Sequence, residues 1–224
     1  MRLILLCALM TLTGCSALLE KPSSALNGSV ELGCPELSPE QDLIINLSQE
    51  MAEEGRLHAA LANLQQLPES YPEVRWRKAR ILRLLGDSSA EGLYAGLINS
   101  CMAANGYHGL GQLDYATENY HRALDHFRKA ARSAPTNDAI RNDMGLVYIK
   151  LRRTDEARFE LLTALELNQS NPQPVDNLLT LLFYQNMWSE AGSLAESKNV
   201  SAERLLQAEQ RARELQAEDA QKNH

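Results

Sequence analysis

Four cysteines and a small polar cluster are the side chains in this 224-residue chain whose types and spacing could do covalent or metal chemistry. Cys7 and Cys15 lie in or just after an apolar N-terminal run, while Cys34 and Cys101 belong to the body of the chain. In an oxidising compartment that second pair invites a disulfide; the alternative is two unrelated cysteines, one buried and one in a tether. His121, Asp125 and His126 carry metal-ligand chemistry if a helix gathers them. Ser100-Cys101 has no base beside it in sequence, and there is no Gly-rich phosphate loop, HExxH or CxxC. These residues compose no catalytic constellation. The chain reads as a non-enzyme without metal or cofactor.

The elements that must position these groups announce themselves by spacing. Ala123, Ala157 and Ala191 fall 34 residues apart. With each alanine at position 20 of a unit, position 8 is Gly111 and Gly145, position 24 is Phe127 and Leu161, and position 27 is Ala130 and Ala164. Pro135 closes the first of these units at position 32. Small residues recur where two helix backbones touch, and bulky ones where a gap must be filled. This pattern resembles the tetratricopeptide (TPR) repeat, a helix–turn–helix unit that stacks into a solenoid. The implied fold is an all-α TPR solenoid. His121, Asp125 and His126 then occupy positions 18, 22 and 23, which face outward and read as solvated.

Upstream, Gly55, Ala60, Leu64 and Pro72 fit positions 15, 20, 24 and 32 of a unit over 41–72, and a degenerate unit spans 73–103 with Gly86-Asp87 as its turn. Cys101 is expected near the end of that unit's second helix, on the same edge as Cys34. The last unit, about 172–200, decays to Leu179 and Lys198 at positions 8 and 27, as terminal repeats do. Residues 201–224 read as a capping helix and tail, with Ser201 as N-cap and Glu209/Arg213 and Glu218/Lys222 as i, i+4 pairs. Leu205, Leu206 and Leu215 cannot bury it all round. The expectation is five helix pairs over 39–200 plus a cap.

Residues 1–14, MRLILLCALMTLTG, join one basic residue to an apolar run too short to span a bilayer, which needs about twenty residues. Leu12-Thr13-Gly14-Cys15 resembles the lipobox of bacterial lipoproteins. That resemblance implies a signal peptide over 1–14 and a diacylglycerol thioether with an amide-linked acyl chain on Cys15. Several acyl chains anchor a protein stably where one does not. Ser16 is not the aspartate that retains such proteins in the inner membrane, so the periplasmic face of the outer membrane is expected. Residues 15–38 would form the lipidated tether. A formal charge of −7 argues against nucleic acid or anionic lipid as an electrostatic partner.

In a TPR array the first helix of each pair lines a binding groove through positions 2, 5, 9 and 12. Those positions give Trp76, Arg80 and Arg83, then His108, Gln112 and Tyr115, then Asn142, Leu146 and Ile149, then Asp176, Thr180 and Phe183. Aromatic residues and arginine are the usual anchors of binding hot spots, and Arg80 with Arg83 could take a carboxylate. The bland alternative is a Trp76 that fills a poorly formed repeat beside solvated arginines. His108, Gln112 and Asn142 stand where chaperone-clamping TPR domains carry Lys and Asn. The run from Arg141 to Leu146, continuing from Asp155 to Leu167, together with the lipobox, resembles the TadD component of the Flp/Tad pilus assembly system. Membership would imply an outer-membrane lipoprotein that supports pilus assembly through the secretin, as pilotins do. The rivals are an adaptor for β-barrel insertion or for recruiting cell-wall hydrolases or proteases, and a cell-wall enzyme on a helical scaffold.

Overall fold

The computed structural model describes residues 33–222. All regular structure among them is helical: α1 (Pro39–Glu53), α2 (Leu57–Leu64), α3 (Pro72–Leu84), α4 (Ser89–Ala95), α5 (Ala103–Ala116), α6 (Tyr120–Ser133), α7 (Asp138–Lys150), α8 (Thr154–Leu167), α9 (Gln173–Tyr184), α10 (Trp188–Ser197) and α11 (Ala202–Lys222). The first ten pack as five consecutive pairs, odd-numbered helix against even, and each pair packs on the next. This is the all-α TPR solenoid that the period of 34 implies. The signal peptide of 1–14, Cys15 and most of the tether lie outside the described residues.

Each first helix stops for the same backbone reason. A residue with positive φ follows all five: Gly55 at 78°, Gly86 at 74°, Glu118 at 59°, Arg152 at 60° and Asn186 at 58°. The next amide then reaches back to a carbonyl five residues earlier, as in Arg56 to Met51 (2.8 Å), Asn119 to Asp114 (2.9 Å) and Arg153 to Tyr148 (2.9 Å). This closure satisfies carbonyls that a helix end leaves unpaired. Glycine enters the left-handed region freely, whereas Glu118 and Arg152 do so at a cost of about 1–2 kcal/mol each. α1 also begins with a full capping box, Ser38 Oγ accepting from the Gln41 amide and Gln41 Oε1 from the Ser38 amide.

Within a pair, the helices cross at a glycine. A Cβ on Gly111 would lie 2.5 Å from the Phe127 ring, and one on Gly145 would lie 2.5 Å from Leu161. Both large residues are buried completely or nearly so. Burying such a side chain contributes about 1.5–3 kcal/mol. A helical glycine costs only about 1 kcal/mol, so the notch wins.

The degenerate second repeat departs from expectation. Its turn is at Gly86 as read, but α4 ends at Ala95, and 96–102 run through turns into α5. Cys101 therefore lies beyond the helix rather than near its end. Tyr94 does the plugging here: it is 1 % exposed, and its ring occupies the space where Gly109 would carry a Cβ. Gly106 lets the Tyr94 carbonyl and Leu97 approach closely in the same way. Three buried glycines in one 14-residue helix are the consequence.

α11 continues the repeat instead of merely ending it. Ile140, Pro174 and Ala208 are buried and spaced by 34, and so are Met144, Leu178 and Ala212, and Val147, Leu181 and Leu215. It is the first helix of a sixth unit that has no described second helix. Its side chains on the unpaired side are polar apart from Leu206, which is 65 % exposed. Ser201 Oγ caps the Arg204 amide at 3.3 Å, and Glu209 pairs with Arg213. Glu218 does not pair with Lys222; it turns to Arg152 and Lys150 at the end of α7, where two cations already converge.

Two glycine substitutions should act with opposite sign. Gly111→Ala forces Phe127 out of its notch and should lower stability by about 1–3 kcal/mol in urea unfolding. At Gly192 nothing lies within 4 Å of an added Cβ, so Gly192→Ala should gain about 0.5–1 kcal/mol. A neutral Gly111→Ala would contradict the notch.

Candidate protein-binding groove

The odd-numbered helices bring the expected groove residues to one face, but neighbouring helices consume part of the set. His108 Nε2 meets Asp143 Oδ2 at 2.8 Å, and Gln112 donates to the same oxygen at 2.9 Å. Asn177 donates to Asn142 Oδ1 at 2.8 Å. The His108–Asp143 and Asn142–Asn177 links each join position 5 of one unit to position 6 of the next. Arg211 of α11 continues the ladder, donating to Thr180 Oγ1 at 3.2 Å and to the Asp176 carbonyl at 3.5 Å.

The fifth repeat is therefore closed. Asp176 is ion-paired to Arg204 at 2.7 Å. Thr180 lies under Arg211, and Phe183 is buried against Trp188 with ring centroids 5.0 Å apart. Asn142 is only 2 % exposed, and Ile149 is buried too. Asn142, Asp176, Thr180 and Phe183 hold the array together rather than facing a ligand. Position 6, which contributes Asp143 and Asn177, lies outside the groove pattern, and the spacing of 35 between His108 and Asp143 is the signal that could have found it.

What stays open is a run of three clefts that share lining residues. Trp76, Arg80, Arg83, His108 and Gln112 line the first. Arg83, Gln112, Tyr115, Asp143 and Leu146 line the second. Tyr115, Leu146, Ile149, Thr180 and Arg211, with Glu214 and Glu218 of α11, line the third. Together they make one groove, basic and aromatic at one end and apolar with an acidic rim at the other. Burial first, then Tyr120, Asp143 and Glu218, push the Tyr115 phenol up to about 12, so it is a neutral hydrogen-bond donor at any ordinary pH.

Two other clusters resolve as structure. His126 does not face outward: its Nδ1 meets Asp114 Oδ2 at 2.7 Å, and Arg122 donates to Asp114 Oδ1 at 2.6 Å. Asp114 is 1 % exposed, and a buried carboxylate needs such partners. His121 and Asp125 are exposed on the same helix. Cys34 and Cys101 are bonded, with Cα atoms 5.3 Å apart, which ties the segment before α1 to the loop between α4 and α5.

A groove lined by successive first helices of a helical-repeat array defines a protein-interaction scaffold, and similarity to known proteins gives it a family. Residues 115–182 match the tetratricopeptide repeat family model. The TPR repeat-containing protein PA4299 of Pseudomonas aeruginosa is 42 % identical over 178 residues, spanning 80 % of this chain and 73 % of the relative. The chain belongs to the TPR repeat family that includes this relative. Among solved structures, TTC0263 of Thermus thermophilus, a thermophilic TPR protein, aligns with TM-score 0.60 and 21 % identity over 79 % of this chain and 99 % of its own. pilF of Pseudomonas aeruginosa aligns with TM-score 0.60 and 17 % identity over 75 % and 76 %. At these identities the two structures share the fold. The matched family is a scaffold for protein interaction rather than a catalytic one.

Opening of α11 should depend on acid. The hydrogen bond from Arg152 holds Glu218 below its usual pKa, and for Asp219 hydrogen bonds from Tyr184 and Arg152 outweigh the upward push of burial. A carboxylate with a lowered folded pKa contributes stability above its unfolded value and loses it as pH falls through the folded one. Amide exchange in 211–222 should therefore accelerate below about pH 4, ahead of exchange in α5 to α8. Equal acceleration everywhere would contradict this anchoring.

The disulfide gives a second prediction. Closing a loop with a sequence separation of 67 corresponds to about 4 kcal/mol in the chain-entropy model. Reduction should lower the denaturant midpoint and slow migration of the thiol-blocked protein on gels. Two freely alkylated thiols in the oxidised native protein would refute the pairing.

Proposed function

We propose that this chain is an outer-membrane lipoprotein that serves as a protein-interaction adaptor in Flp/Tad pilus assembly, assisting the secretin. The observation that carries the adaptor part is the open groove running from Trp76 to Glu218 along successive first helices. Its dimensions and mixed lining suit a segment of another protein, and the family is one of interaction scaffolds. The likeness to pilF is one of fold and supports the scaffold alone. The lipoprotein part rests on Leu12-Thr13-Gly14-Cys15, and the pilus part on the resemblance carried by 141–146 and 155–167.

In this reading, acyl chains on Cys15 confine the scaffold to the inner leaflet of the outer membrane. There it meets its client at high effective concentration. The groove holds an extended or helical client segment until assembly is complete. Function needs no cofactor, metal or nucleic acid, because recognition by the groove is the whole task.

The test is affinity capture of the protein from cross-linked native envelopes, with bound proteins identified by mass spectrometry. A secretin should dominate and should disappear when Cys15→Ser releases the protein from the membrane, while binding in detergent extracts persists. Barrel-assembly subunits, cell-wall hydrolases or proteases in its place would replace the pilus reading with the rival adaptor. Normal pili in a strain carrying only the Cys15→Ser protein would remove tethering from the mechanism.

A further inference from the structure

The first cleft has a charge imbalance that the fold does not correct. Its volume is about 360 Å³, and its lining includes Arg80, Arg83, Asn105 and Trp76 but no Asp or Glu. Among the described residues neither arginine makes an ion pair. Arg80 donates only to Gln49 Oε1, at 3.2 Å. Arg83 Nε is buried and has no hydrogen-bond partner. Leaving such a donor unsatisfied is costly, and more so for a charged group. Neighbouring arginines are neutralised: Arg77, on the same helix, by Glu73 at 2.7 Å, and Arg122, across the adjacent cleft, by Asp114.

Nearby acids do not remedy this. Asp143 faces the second cleft and is held by His108 and Gln112. Asp87 and Glu91 line a separate cleft on the other side of Arg83, and Asp87 already accepts from the Ser89 amide and hydroxyl. The cleft also abuts the start of α7, through Asn137 and Ala139. A helix N-terminus adds to the positive potential there. Trp76 supplies an apolar wall beside the two guanidinium groups.

The geometry points to a carboxylate-binding site formed by Arg80 and Arg83, which takes an acidic group of a peptide whose adjoining apolar side chain lies against Trp76. Planar guanidinium groups match a carboxylate by paired N–H···O bonds, and the orphaned Arg83 Nε gains its acceptor. The carboxylate is either the client's C-terminus or an internal Asp or Glu. This inference rests on the reading of the groove as the client surface and gives that client a chemical signature.

The test uses the full chain in detergent with nitrogen-15 labelling, following arginine Nε–H and the Trp76 indole N–H. Trp188→Phe leaves Trp76 as the sole tryptophan, since the chain has two. Three probes are titrated: Ac-Leu-Ala-Leu with a free carboxylate, its C-terminal amide, and Ac-Leu-Glu-Leu amide. At least one acidic probe should shift both sets of signals saturably with millimolar or tighter affinity, and the neutral amide should not. Tighter binding of the free carboxylate assigns a C-terminus; tighter binding of the glutamate probe assigns a side chain. Arg83→Gln and Arg80→Gln should each weaken binding at least about tenfold, a charged hydrogen bond's worth, with Arg83→Lys retaining part. Thermal melts of the variants exclude unfolding as the cause. Equal binding of acid and amide, no saturable shift up to about 10 mM, or undiminished binding by both Gln variants would overturn the site. Envelope capture that persists in the double Gln variant would leave the adaptor reading standing and remove only the carboxylate. Peptide binding without envelope capture would do the reverse.

Discussion

The contact between a glycine on one helix and a large apolar side chain on its partner is the constraint from which the rest follows. Gly111 receives Phe127, Gly145 receives Leu161, and in the irregular second repeat Tyr94 finds the same kind of notch at Gly109. The notch fixes how closely two helices lie, and repeating it every 34 residues fixes how each pair presents the next. The left-handed residue after every first helix turns the chain so that the partner arrives at that notch. In α5 three buried glycines weaken the helix in isolation, and packing on both sides restores it.

The same stacking decides what the groove can do. Once first helices lie side by side, polar residues at positions 5 and 6 reach one another, and the His108–Asp143 and Asn142–Asn177 bridges form. Those residues specify the stack and leave the ligand surface. α11 extends the ladder and closes the fifth repeat, so recognition is left to the stretch from Trp76 to Leu146 and to the cleft under α11. The two ends of that stretch are chemically different. A client segment is thereby given a direction as well as a place.

Much of this was legible because packing in a repeat is local and periodic. Ala123, Ala157 and Ala191 mark the second helices at zero exposure, and the glycine and plug positions follow from them by counting. The groove was legible as a set of positions but not as a set of free side chains. Position 6 carries no small-or-large signature, so Asp143 and Asn177 do not stand out, and without them His108 and Asn142 look available. α11 was hidden for a related reason: alanines at 208 and 212 fill the places of larger residues, so the period continues in burial but not in residue type. His126 likewise looks outward in the sequence because its partner, Asp114, sits 12 residues earlier on another helix.

The central claim is that the client lies in the groove between the second and fourth repeats. The most direct measurement places a photo-crosslinking amino acid at Gln112 or Leu146 in the groove, and at exposed His121 on the opposite helix row, in protein made at native level in its own cells. The account predicts one discrete adduct from positions 112 and 146 and none from 121. Adducts from 121 alone would move the client to the outer face and leave the groove as internal packing.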